Sequence, residues 1–316
     1  MRSAVAALLS LSAWLATAAA AQPLPAPTKP GPAAAQPGPV PATPPPPAKA
    51  AIVKGPAFLR FVATPAKEAL QVAVASYHGK GGVRVDLVGA VHVGDAAYYR
   101  QVQRRLDGYD RLLYEMVKPE GVLPTDRGDS GLSVMQRWVK HALGLEFQLD
   151  AIDYGGLHFV HADIEPERLM QALSANAGGI AAVLLRWSLR DSFRLTYADG
   201  SPRSSLWSLT QVALSGDKNR ALKRFLAREL VEMNGALDEL GGEGGPASIL
   251  LAQRNAVAVT VLQRTLRTGV KRVGIFYGAA HLADLDARLT RDLGMTRGQV
   301  AWLTAWDLTR STPQVR

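Results

Sequence analysis

The chain contains no cysteine in 316 residues. That excludes disulfides, a thiolate metal site, a cysteine nucleophile and lipid attachment at cysteine. The first fifty residues contain no acid, only Arg2, Lys29 and Lys49. Residues 51–316 therefore hold 33 basic against 27 acidic side chains, and the net charge of +9 is spread unevenly. The basic residues form no long runs and no pattern interleaved with aromatics, so the charge reads as a solvated surface and not as a nucleic-acid interface. The nucleophile-elbow pattern Gly-x-Ser-x-Gly does not occur, which argues against an ordinary serine hydrolase. The glycines at 79, 81 and 82 lack the Gly-Lys-Ser/Thr ending of a phosphate loop and read as a hairpin turn.

What is present points to an exported globular protein. Residues 1–21 run from Arg2 through an apolar stretch to Ala19-Ala20-Ala21, the form of a secretory signal peptide cleaved before Gln22. The competing reading is an uncleaved membrane anchor, since residues 4–21 are nearly long enough to span. Residues 22–50 hold 12 of the 20 prolines among alanines and read as an extended, semi-rigid tether. An apolar share of 47% supplies ample core for one domain over residues 51–310, periplasmic or secreted.

That domain is organised around residues 83–117, VRVDLVGAVHVGDAAYYRQVQRRLDGYDRLLYEMV. An apolar run ends in Gly89-Ala90-Val91-His92. Asp95 stands at a helix N-cap, and Tyr98, Val102 and Leu106 follow at spacing four on one helical face. A turn at Gly108-Tyr109-Asp110 leads to a second run, residues 111–117, interrupted by Glu115. Strand, helix and strand make a βαβ unit whose polar residues fall near the C-terminal strand ends, where open α/β sheets place ligands. Residues 58–63 and 70–77 read as strands before this unit, and 147–154 and 158–164 as short extended segments after it. Helices are expected over 132–143, from Pro166 onward, over 180–189, 206–214 and 219–240, and from Pro246 to about 266. The pattern of the central unit then returns. Residues 272–277 form an apolar run ending in Gly278-Ala279-Ala280-His281, followed by a helix through Leu282, Leu285 and Leu289, and residues 300–308 read as a last strand. The expected fold is α/β, a mostly parallel sheet with helices on both faces and a helical insertion at about 165–245 capping the cleft.

Two strands ending in matching Gly-x-x-His turns bring His92 and His281 to one sheet edge, and this sets them apart from the other four histidines. Each glycine allows close backbone approach. A glutamate in a buried strand is costly unless paired, metal-bound or protonated, which makes Glu115 the natural third member. Two imidazoles and a carboxylate suit Zn, Mn, Fe or Co with positions left open for water. Without a metal the same groups could run general acid–base hydrolysis. Each also has a plainer reading, as a satisfied structural hydrogen bond. Arg254 lies on an apolar helical stripe with Asn255 beside it, fit for a buried carboxylate or a substrate anion. Asp163 and Asp153 end extended segments and could point into the same cleft, with His161 nearby. His78, His141 and His158 read as structural or exposed, Tyr277 as core, and the arginines at 186, 190 and 194 as a solvated helix face.

With these residues in view, the chain resembles the TraB/GumN/Tiki family, in the wider group with the erythromycin esterases and the ChaN-like haem-binding proteins. The likeness rests on LVGAVHVGDAAYYRQVQRRLDGYDRLLYEMV, on the segment from AIDY to HADIEPERLM, on AQRNAVAV and on VGIFYGAAHLADL. It spans most of residues 83–295. The resemblance implies an α/β core with a helical insertion. From the Tiki branch it implies a divalent-metal-dependent peptidase (Mn, Co or Zn) using His92, Glu115 and His281, and the Arg254-Asn255 pair also falls on a family position. Other branches imply an esterase or a non-catalytic haem or metal carrier. The expected partner is a peptide or small-molecule substrate, with no nucleic acid, and with the membrane only through an uncleaved signal segment.

Overall fold

The structure, a computed structural model, describes residues 58–64, 66–118, 143–175, 214–241 and 250–309. The signal segment, the tether, most of the 132–143 helix, the 180–189 and 206–214 helices, the arginines at 186, 190 and 194, His141, and residues 242–249 lie outside them.

A single main sheet carries the chain. β1 (Leu59–Ala63), β2 (Glu68–His78) and β3 (Arg84–Ala90) open it. β2 pairs antiparallel with β1 through residues 68–72 and with β3 through residues 74–78, so the two sit end to end along one of its edges. The other edge takes β9 (Thr296–Asp307), also antiparallel. The β2–β3 turn is the hairpin expected at 79–82, with positive φ at Gly81 and Gly82, a conformation that glycine adopts without steric cost.

Beyond β3 the sheet is parallel, in the order β3, β8 (Arg272–Gly278), β5 (Arg111–Tyr114) and β7 (Phe159–His161). The unit read from residues 83–117 is therefore a crossover with a strand let into it. Helix α1 (Ala96–Leu106) links β3 to β5, and β8 lies between them. β4 (Val93–Gly94) and β6 (Glu146–Phe147) form a separate two-stranded ladder directly after His92. The segment expected to be extended at 147–154 instead turns into a short helix, α2 (Gln148–Ala151). β9 starts four residues earlier than the alternation suggested, in a stretch too exposed to carry an apolar pattern.

Alternation along the strands divides the core into two layers. Leu70, Val72, Val74, Val88, Leu112 and Phe276 meet Tyr98, Tyr99, Val102 and Leu106 of α1 and Ala227 of α4 (Lys218–Gly241) on one face. Ala73, Ala75, Val85, Leu87, Leu113 and Ile275 meet Ala258 and Leu262 of α5 (Ala252–Arg267) on the other. That face is closed by Leu282 and Leu285 of α6 (Leu282–Ala287) and by Leu289. The expected α/β architecture with helices on both faces is thus the one observed. Leu87, Val88, Leu112, Leu113, Ile275 and Phe276 are almost wholly excluded from water. At about 1.5–3 kcal/mol for each large side chain buried, the strands that lead to the two histidines and to Glu115 are firmly anchored. Within the expected insertion, α3 (Pro166–Ala175) and α4 are helical as read. Among the described residues no helix is long and apolar enough to cross a membrane.

Asp95 occupies the expected N-cap position, but its carboxylate does not bond the helix. It accepts from Lys223 Nζ at 2.9 Å and from the Asp307 amide at 2.6 Å, tying α4 and β9 to the start of α1.

Candidate functional site

Because β3 and β8 are parallel neighbours with Gly89 opposite Tyr277 and Ala90 opposite Gly278, the two Gly-x-x-His turns leave the sheet side by side. β5 flanks β8 on its other side and ends at Tyr114, three residues short of the run read at 111–117, so Glu115 follows the strand end. The two glycines serve different neighbours. A Cβ at Gly89 would stand 2.5 Å from Val72 Cγ2 and 3.0 Å from the Ala73 carbonyl, so this glycine lets β3 pack against β2. A Cβ at Gly278 would stand 3.2 Å from Glu115 Oε2, so this one admits the carboxylate.

Glu115 is the centre of the group. Its Oε2 accepts from the Gly278 amide at 2.6 Å, and its Oε1 accepts from Arg254 Nη2 at 2.7 Å and faces His281 Nε2 at 3.3 Å. Burial alone would push this carboxyl up. The charges of His281, Arg254 and His92 and the hydrogen bond to His281 outweigh it and hold the group well below the usual carboxylate range. Arg254 reaches Glu115 from α5 and grips a second carboxylate with the same fork: Nε to Asp163 Oδ1 at 2.9 Å and Nη2 to Asp163 Oδ2 at 2.5 Å. Asp163 also accepts the Ile164 amide at 2.8 Å. The expectation that Arg254 meets a buried carboxylate is realised twice over.

Asn255, next on α5, fixes His281. Its Nδ2 donates to Asp284 Oδ2 at 2.8 Å and to the His281 carbonyl, and its Oδ1 lies 2.7 Å from His281 Nδ1. A carboxylate accepts only, so the amide orientation is set, and Nδ1 of His281 must carry the proton. Nε2 is left to face Glu115, and an imidazolium satisfies both contacts. Arg288 Nε closes the far end on Asp284 at 2.6 Å. The result is a polar chain, Arg288–Asp284–Asn255–His281–Glu115–Arg254–Asp163, that runs from α6 and α5 to the segments following β8, β5 and β7.

His92 stands beside this chain and not within it. The residue is exposed to solvent. Desolvation lowers its pKa; Glu115 and the Gln148 side chain oppose the shift, and Arg254 and His281 add to it. Among the described residues, no three His, Asp or Glu side chains are grouped as a metal ion would require.

Of the other candidates, Asp153 is exposed, its Oδ1 accepting the amide of Gly155 in a local turn away from the cluster. His161 Nε2 lies 2.6 Å from the Met116 carbonyl and fastens the segment that carries Glu115. His158 meets the Leu106 carbonyl at 3.2 Å. Tyr277 is core, as expected; its hydroxyl donates to the Ala162 carbonyl and its ring stands 5.3 Å from that of His281 in a T-shaped contact. Three residues of the site were missed in the sequence. Asp284 and Arg288 follow His281 at helical spacing and were open to discovery by that spacing; Gln148 gave no such signal.

Together, fold and site describe an α/β protein with a buried carboxylate–arginine–imidazole chain at the C-terminal ends of its parallel strands. The chain matches no family model, no curated protein and no solved structure.

Proposed function

We propose that this protein is an exported hydrolase acting at a carbonyl carbon, a peptide bond foremost, with His92, Glu115 and His281 as its chemical groups. The observation that carries the reading is the buried Glu115–His281 contact at 3.3 Å beside a histidine open to solvent. The TraB/GumN/Tiki resemblance of the same residues supports it. Both oxygens of Glu115 are engaged, so its role is to hold charge and orient His281. His92, neutral at physiological pH and facing solvent, is the group suited to take a proton from an attacking water. Arg254 is the cation placed beside these groups to favour the oxyanion that forms on the carbonyl.

The resemblance implies a divalent metal on His92, Glu115 and His281, where it would acidify a bound water. The residues as arranged do not fit one. Arg254 Nη2 stands 2.7 Å from the Glu115 oxygen that the metal would need, and Gly278 holds the other. A metal-dependent form of the reading requires Arg254 to leave Glu115, and no step here is routed through a metal.

Elemental analysis and an absorption spectrum of the purified protein, with hydrolysis of a peptide library, test the proposal. Turnover that survives chelation supports the metal-free form, and turnover restored only by Mn, Co or Zn supports the metal-dependent one. A strong Soret band without turnover refutes the hydrolase in favour of a haem carrier. His92→Ala and His281→Ala are each expected to abolish turnover, and the double variant to be little worse than either, as residues that act as a unit are non-additive. Export is tested by the mature N-terminus, expected at Gln22.

A further inference from the structure

Gln148 is the residue to which the fold pays most attention without an evident return. It is 6% exposed, yet its Oε1 is buried and has no hydrogen-bond partner. Buried acceptors without partners are rare and costly.

The surroundings show which group it faces. The β4–β6 ladder sets Val93 opposite Phe147, and the Gln148 amide donates to the His92 carbonyl at 2.9 Å. Residues far apart in sequence are thereby locked backbone to backbone. At the other end of the side chain, Nε2 donates to the Tyr154 hydroxyl at 2.9 Å. Tyr154 is itself fixed, its ring 5.3 Å from Tyr114 and 5.8 Å from Phe159. With Nε2 committed, the planar amide turns its oxygen the other way. The His92 ring is the neighbour with which the Gln148 side chain interacts, in the sense that favours a protonated ring.

We propose that Gln148 is a positioning residue for His92: its Oε1 accepts the ring N–H on the protein side and leaves the second ring nitrogen as a lone pair toward solvent. An uncharged acceptor fixes the tautomer without the large rise in basicity that a carboxylate would impose. The inference rests on His92 being one of the chemical groups of the proposed site. Its test reads the ring and not turnover, so failure here is distinguishable from failure of the hydrolase reading.

The experiment is long-range proton–nitrogen NMR of the full chain labelled with nitrogen-15, held at pH 7.5 with chelator present. The His92 signals are assigned by their loss in His92→Gln. The wild-type ring is expected as a single neutral tautomer. Gln148→Leu should give an exchanging mixture of both tautomers, and Gln148→Glu, an acceptor with no N–H, should keep the wild-type one. Tyr154→Phe frees the anchored end of the amide and should produce a mixture with Gln148 still in place, which carries the test if Gln148→Leu does not fold. The other five histidines report whether each variant is intact. A wild-type ring already mixed, a ring unchanged by Gln148→Leu and Tyr154→Phe, or a tautomer inverted in Gln148→Glu each overturns the proposal.

Discussion

Arg254→Met is the perturbation that most directly examines the charged chain, because it removes the guanidinium and keeps an apolar stem of similar length. Asp163 has a side chain with no exposure, and Glu115 is 12% exposed. Glu115 would keep His281 and the Gly278 amide, whereas Asp163 would keep only the Ile164 amide. Removing one partner of a buried ion pair costs about 3–5 kcal/mol, because the remaining charge is left uncompensated. Asp163 places this variant within that range. Each kcal/mol moves the midpoint of a domain this size by about 2–4 °C, so the expected drop is roughly 6–20 °C at pH 7. Circular dichroism melts at pH 7 and pH 5 provide the assay. Protonation of the stranded Asp163 relieves the uncompensated charge in the folded variant, so the penalty is expected to be smaller at pH 5 than at pH 7. Arg254→Met combined with Asp163→Asn should recover much of the loss. A drop below about 1 kcal/mol with no pH dependence, the size of an exposed pair, would refute the reasoning.

Gly89→Ala should destabilise by about 1–3 kcal/mol in urea titrations, the range for overpacking, since its Cβ meets Val72 and the Ala73 carbonyl. Gly278→Ala should cost less stability and more activity, because what it crowds is the Glu115 carboxylate. Asn255→Leu leaves Asp284 with Arg288 and takes the acceptor from His281 Nδ1; unfolding should show a loss of about 1–3 kcal/mol, the cost of a buried polar group left unpaired. Glu115 is ionised more readily in the fold, so its contribution is fully present above its ordinary value of 4.5 and is lost as pH falls through the depressed one. Glu115→Gln should therefore flatten the acid limb of the stability profile below about pH 4.5, read by melts across pH.

The residues of the chain differ in how openly the sequence declared them. His92 and His281 were legible because each follows a strand-like stretch, 83–88 and 272–277, that ends in the same Gly-x-x-His turn. Arg254 and Asn255 stood out as polar residues at helical spacing on an apolar surface, and Asp163 as an acid ending an extended segment. What joins them was not legible. Nothing in the run at 272–277 says that it slots between β3 and β5, since a strand buried on both faces looks alike beside any neighbour. The pairing of one arginine with two carboxylates depends on that order. Gln148 was hidden for another reason. A single helical turn is too short for its period to register, and Phe147 and Leu149 flanking it imitate alternation. The Asp95 cap was misjudged because a local rule competed with Lys223 and the Asp307 amide, partners that only the folded chain supplies.

The position of β8 governs how such a chain can come into being. During synthesis the strands at 84–90 and 111–114 emerge early, but the strand that joins them emerges close to the end, with Arg84 finally meeting Arg272. Until then both present bare apolar edges, the kind of surface on which nascent chains associate wrongly. Pairing across so long a separation is slow. A product cut short before residue 272 would lose the join between β3 and β5 together with His281. Completion of the sheet and assembly of the chemistry are then one event, and the newly made protein has no half-built form in which the site can act.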